Sequence, residues 1–131
     1  MNTVRPPSSL SRRPSRRQEL RFAARFPVLL CSARTKDALS TWDVSFRGLY
    51  LETRRQLALR QLVRVAISLP TTGKDLIAHG MVASVAADAG ADGRPPGMGI
   101  ELYALDTAAR TAWWEAVRFA RDLGIRSAGA R

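Results

Sequence analysis

Two short patterns carry complementary hydrogen-bonding chemistry. Arg17-Gln18-Glu19-Leu20-Arg21 sets guanidinia four residues apart, and Asp43-Val44-Ser45-Phe46-Arg47-Gly48 sets a carboxylate and a hydroxyl two residues apart. Residues two apart on a strand project from the same face, so Asp43 and Ser45 are expected to line one surface. Arginines on a segment entering an adjacent strand can reach over that surface and set donors opposite acceptors. A guanine base matches such a site: its O6 and N7 accept from an arginine fork, its N1–H and amine donate to a carboxylate, and its π-face stacks under a guanidinium. Phosphates would take the remaining donors through charge-assisted bonds of roughly 1.5–3 kcal/mol each. Lysine, a point charge without a planar fork, does not do both jobs. Each pattern alone is also met by blander chemistry. Arg12/Arg16, Arg13/Arg17 and Arg21/Arg25 repeat the arginine spacing, and Asp and Ser cap backbone N–H groups in ordinary turns.

The elements that must position these groups follow from composition and periodicity. The chain has 131 residues, 46% of them hydrophobic, enough for one domain with a core of its own. Its formal charge is +10. Seven arginines (5, 12, 13, 16, 17, 21 and 25) stand against the single acid Glu19 before Phe26, so the cationic density belongs to an arm. Residues 1–15 are rich in Pro, Ser and Arg and poor in groups that pack, which reads as a flexible, disordered basic arm.

From Phe26 the pattern alternates. Strands are expected from Pro27 to Ala33, over Leu39–Ser45, over Leu49–Thr53, over Leu62–Leu69 ended by Pro70, over Leu76–Ala86, and over Met98–Tyr103. The second strand should set Leu39, Thr41, Asp43 and Ser45 on one side and Ser40, Trp42 and Val44 on the other. Gly48 should supply the positive φ of a tight hairpin, and Gly80 a bulge or bend. Residues 88–97 are a loop by composition. Six strands at hairpin spacing without intervening helices indicate an antiparallel barrel, because closure removes exposed edges. Asp106 then caps a helix whose apolar stripe is Ala109, Ala112, Trp113, Ala116, Val117, Ala120 and Leu123, with Gly124 at its end. Trp113 should plug the core and Trp114 should lie on the flank of the stripe. The expected organisation is an arm over 1–15, the barrel and its C-terminal helix over 16–124, and a frayed tail over 125–131.

Other chemistries have no apparatus in the sequence. Cys31 has no disulfide partner, and with His79 it is too little for a closed zinc site, so neither metal nor cofactor is expected. Cys31 reads as a small buried hydrophobe and His79 as a strand-face residue. No nucleophile elbow, dinucleotide fingerprint or phosphate-loop lysine is present, so an enzyme is not expected. Apolar runs fall short of a membrane span and no secretory h-region follows the basic start, which points to a cytoplasmic protein.

With the patterns in this order, the sequence resembles the PilZ family: Arg17-x-x-x-Arg21, Val28 seven residues on, Asp43-x-Ser45-x-x-Gly48, a Val/Ile strand ending in Pro70, and Met98-Gly99-Ile100-Glu101-Leu102 before the last helix. The resemblance spans about residues 16–123. It implies a mainly β fold, a six-stranded antiparallel β-barrel with a C-terminal α-helix, that binds the bacterial second messenger cyclic di-GMP. It makes Arg17 and Arg21 the phosphate and guanine ligands, Asp43 and Ser45 the guanine-edge contacts, and Gly48 the turn former. Arg17/Arg21 is preferred among the overlapping pairs because it gives the family spacing to Val28. Arg16, immediately before the pair, implies a stacked, intercalated dimer of the nucleotide. Arg12, Arg13 and Arg25 either add phosphate contacts or only raise the local potential and speed capture of a dianion. Glu19, an acid between the two ligand arginines, is the discordant residue. Ligand binding would order the arm over the barrel and signal to an unidentified downstream protein, since 131 residues leave no room for an output domain. The rival readings are a small barrel that binds nucleic acid through its basic arm, and a pilus or flagellar adaptor that has lost the nucleotide.

Overall fold

The computed structural model describes residues 20–129. The arm over 1–15, with Arg12 and Arg13, lies outside those residues, as do Arg16 and Arg17. Strands are numbered from the first described: β1 (Phe22–Ala23), β2 (Pro27–Cys31), β3 (Lys36–Ser45), β4 (Gly48–Glu52), β5 (Leu62–Ser68), β6 (Asp75–Ala86) and β7 (Gly97–Tyr103), followed by α1 (Thr107–Gly129). All pairings are antiparallel, in the order β3-β2-β5-β6-β7-β4, and β4 pairs back onto β3. Six strands therefore close a barrel, as the edge rule requires.

Strand alternation builds the interior. Val28 and Leu30, Leu49 and Leu51, Val63, Val65 and Ile67, and Ile100 are buried and share one core. Asp106 caps α1 as its residue type predicts, its Oδ1 accepting from the Ala109 N–H at 2.8 Å. Trp113 is fully buried against the barrel, edge-on to Phe26. Its indole N–H donates to the Ser45 carbonyl at 3.0 Å, satisfying the one polar atom that burial would otherwise orphan. Trp114 stays 41% exposed.

Several expectations are corrected. The two faces of β3 do not run unbroken, because the register with β4 shifts between Thr41 and Asp43. Thr41 pairs with Leu51 and Asp43 with Tyr50, so Trp42 is the extra residue of a β-bulge. Thr41 and Val44 are both buried, whereas Trp42 and Asp43 between them are half-buried. A strict period of two cannot produce that sequence of environments.

Gly48 does not take a positive φ. It closes the barrel seam opposite Glu101, where a Cβ would overlap the Ile100 carbonyl oxygen. Gly80 is likewise a close approach, to the Ile100 side chain, and the bulge of β6 lies beyond it, between Val82 and Ser84. β3 begins at Lys36, earlier than its apolar pattern. The helix runs through Gly124 to Gly129, and Leu123 is 45% exposed instead of completing the buried stripe. Cys31 is half-buried, and His79 is exposed on its strand, stacked on Tyr103.

Candidate functional site

β1 is what brings the arginine segment to the carboxylate. Phe22 pairs with Val44 and Ala23 with Asp43, so Arg21 arrives beside the Asp43 row. Thr41 fixes that placement. Its buried hydroxyl donates to the Ala24 carbonyl and accepts from the Phe26 N–H at 2.8 Å. The backbone adds Thr41 N–H to the Phe26 carbonyl at 3.0 Å. A buried threonine with both roles satisfied holds this segment in register, since leaving either partner unpaired costs about 1–3 kcal/mol.

Arg21 Nη1 donates to Asp43 Oδ1 at 2.9 Å. From the opposite direction comes Arg94, a residue that motif spacing did not single out. Its Nη2 lies 3.3 Å from Asp43 Oδ2, and its guanidinium carbon sits 3.6 Å from the centroid of the Tyr50 ring. Tyr50 is the residue that Asp43 faces across the β3–β4 ladder. The tyrosine hydroxyl donates to the Pro95 carbonyl at 2.8 Å, which ties the 88–97 loop down at Arg94. Arg94 Nε is buried and has no hydrogen-bond partner among the described residues. Burial pushes the Tyr50 hydroxyl above its usual 10.0; the Arg94 charge opposes that rise, and Asp43 and Asp92 add to it. The sequence signal for Arg94 was present but local: an arginine directly before Pro95-Pro96, whose fixed φ and restricted predecessor stiffen the backbone that carries it.

The other predicted residues divide. Ser45 is buried and serves the turn: its Oγ accepts from the N–H groups of Arg47 at 3.3 Å and Gly48 at 3.2 Å. Gly48 sits at the seam described above. The structure thus brings Arg21 and Asp43 into contact, and places Ser45 and Gly48 in the hairpin that supports Asp43. Arg25 pairs instead with Glu52, Nη1 to Oε1 at 2.8 Å, and lies 4.6 Å over the Trp42 ring.

The fold has solved counterparts. The Bacillus subtilis inhibitor of motility MotI/DgrA superposes with a TM-score of 0.65 at 16% identity, over 92% of this chain and 55% of that one. The PilZ domain of Escherichia coli YcgR, solved with c-di-GMP, gives 0.68 at 11% identity over 88% and 98%. The chain has the PilZ-domain fold. The PilZ domain of CeSA from a cellulose-synthesizing bacterium agrees at 0.50, with 21% identity over 79% and 97%. No family sequence model matches the chain, and no curated protein does. At these identities the likeness is one of PilZ architecture, and the chain spans little more than half the length of the motility inhibitor.

Among the described residues no group of His, Cys, Asp and Glu could hold a metal, and no helix is long and apolar enough to cross a membrane. What the PilZ barrel presents is an outer wall on which a carboxylate is flanked by two guanidinia over an aromatic ring.

Proposed function

We propose that this chain is a cyclic di-GMP receptor, a binding module and not an enzyme, acting in the bacterial cytoplasm. The observation that carries the reading is Asp43 between Arg21 and Arg94, with Tyr50 beneath. A carboxylate accepts from the N1–H and amine of guanine, an edge that adenine lacks, and guanidinia supply donors for O6, N7 and phosphate. Arg94, whose guanidinium carbon lies 3.6 Å from the centroid of the Tyr50 ring, offers a planar group on which a base can stack. The YcgR domain that shares the fold was solved with this nucleotide.

In this reading Arg17 and Arg21 take phosphate and guanine, Arg16 a second stacked nucleotide, and Arg12 and Arg13 further phosphates. Ser45 and Gly48 hold the turn from which Asp43 projects. Nucleotide binding orders the segment before β1 across the wall, and the ordered surface is read by a downstream protein.

Calorimetry with cyclic di-GMP tests this. Wild type should bind, with weakening of at least tenfold in Arg17→Ala and Arg21→Ala, and cyclic di-AMP should not compete. Limited proteolysis should show protection between Arg12 and Arg25 on adding nucleotide. Equal affinity for both cyclic dinucleotides, or binding that fades steeply with salt and ignores base identity, would sink the receptor reading in favour of a general polyanion groove.

A further inference from the structure

The place on Asp43 that a guanine would take is filled by the chain itself. We propose that Arg94 is a built-in surrogate for guanine: its guanidinium holds Asp43 and the face of Tyr50 until a base displaces it, so Arg94 gates entry to the site. This rests on the receptor reading above and extends it to the regulation of the same site, through a residue outside both sequence motifs.

The two groups match in chemistry. Carbon 2 of guanine bears three nitrogens, and the N1–H and amine on it are the donors that a carboxylate accepts. A guanidinium is the same arrangement, a planar carbon with three nitrogens, and it too donates to carboxylates and stacks on aromatic faces. Arg94 does both at once. Its Nη2 lies 3.3 Å from Asp43 Oδ2 and 3.5 Å from Oδ1, and its guanidinium carbon lies 3.6 Å from the Tyr50 centroid. A base that donates to Asp43 over Tyr50 needs the same space, so only one of the two fits there at a time.

The hold is weak enough to break. A single nitrogen serves both carboxylate oxygens, at 3.3 and 3.5 Å, beyond the roughly 2.7–2.9 Å of strong charge-assisted bonds. Arg21, by contrast, meets Oδ1 at 2.9 Å. Closure also leaves Arg94 Nε buried without a hydrogen-bond partner among the described residues, a cost that release into water removes. Guanine brings two N–H groups to a carboxylate with about four acceptor sites, so it can take both oxygens while Arg21 stays in place.

The loop confines the motion to the side chain. The Arg94 N–H donates to Asp92 Oδ1 at 3.1 Å, and its carbonyl accepts from the Gly90 N–H at 2.7 Å. On the other side the Pro95 carbonyl accepts from the Tyr50 hydroxyl at 2.8 Å. With the backbone pinned on both sides, the guanidinium swings and the loop stays. The swing frees a cation beside an arriving dianion, and the planar group can then stack on the base it has admitted. Those later contacts govern dissociation. The gate governs association, which is slowed in proportion to the time that Asp43 is held.

Surface plasmon resonance of the full chain with cyclic di-GMP separates the two rate constants. Arg94→Ala should associate about fivefold faster than wild type or more, whichever way its dissociation moves. Electrostatic steering predicts the opposite sign, because the variant has lost a cation that attracts the dianion. Arg94→Lys keeps the charge but has no planar group to lay on Tyr50, and it should also associate faster than wild type. Association that is unchanged, slower or absent in Arg94→Ala, in a chain whose wild type binds, overturns the gate while the receptor reading stands. No binding by wild type or by either variant overturns both.

Discussion

Asp43 and Glu52 carry the same charge, accept from arginines of the same segment and stand two rows apart on one barrel wall, yet water treats them differently. The Asp43 and Arg21 side chains are 16% and 24% exposed, and a second guanidinium closes over them. The Glu52 and Arg25 side chains are 45% and 56% exposed. In high dielectric an ion pair gains little beyond the entropy of holding two long side chains, typically about 0–1 kcal/mol. Hydrogen bonds to charged groups screened from water are worth about 1.5–3 kcal/mol. The same pairing of a carboxylate with a guanidinium is therefore a structural joint at Asp43 and a loose, exchangeable contact at Glu52.

The difference depends on the wall beneath Asp43 staying rigid, and the largest effect comes from removing its support. Trp113 fills the barrel end and its indole holds the Ser45 carbonyl at 3.0 Å, two residues from Asp43. Trp113→Ala should cost about 3–5 kcal/mol in urea unfolding, as truncation of a buried tryptophan does. It should also degrade nucleotide binding at Asp43, because the hairpin loses its anchor. A loss below about 1 kcal/mol would show that the helix does not hold this wall.

Next in size is the direct contrast between the centres. Asp43→Ala leaves Arg21 and Arg94 facing each other without their shared acceptor, and should lower unfolding free energy by about 2 kcal/mol. Glu52→Ala should cost less than about 0.5 kcal/mol, with a salt dependence that falls away above roughly 0.15 M. Equal losses in the two variants would erase the distinction between joint and loose contact.

The barrel was legible in the sequence because closure, alternation and the capped helix each follow from a strong local signal: Val63-x-Val65-x-Ile67, Asp106 before a 3.6-residue stripe, and Trp113 within that stripe. The face of Asp43 was not, because a bulge is an extra residue whose existence depends on the partner strand. Nothing around Trp42 announces that Tyr50 will oppose Asp43 alone. Arg94 was missed for a related reason. It meets Asp43 across 51 residues of chain, a proximity set by β4–β7 pairing and the rigid Pro95-Pro96 step and invisible to short spacing. Gly48 was placed in the correct hairpin for the wrong physical reason, since close approach of β7, and not backbone conformation, excludes a side chain there. Local chemistry names the elements; contacts between distant strands decide which side chains share a site.

The smallest predicted effect concerns the aromatic floor, which Asp43 has in Tyr50 and which can be read through pH. Burial raises the Tyr50 hydroxyl above 10.0 in the folded chain. The folded state thus holds this proton more tightly than the unfolded chain does. The stability it supplies is complete below the unfolded value and is lost as pH rises through the folded one. Tyr50→Phe removes the hydrogen bond to Pro95 and should cost about 0.5–1.5 kcal/mol near neutral pH. The variant has no proton to lose, so its deficit should shrink as pH climbs past about 10. Urea midpoints of the two proteins, measured at about pH 8 and about pH 10.5, should therefore converge. A constant gap between them would mean that the Tyr50 hydroxyl is as solvated in the fold as in the unfolded chain, and that Arg94 rests on an open surface and not on a dry one.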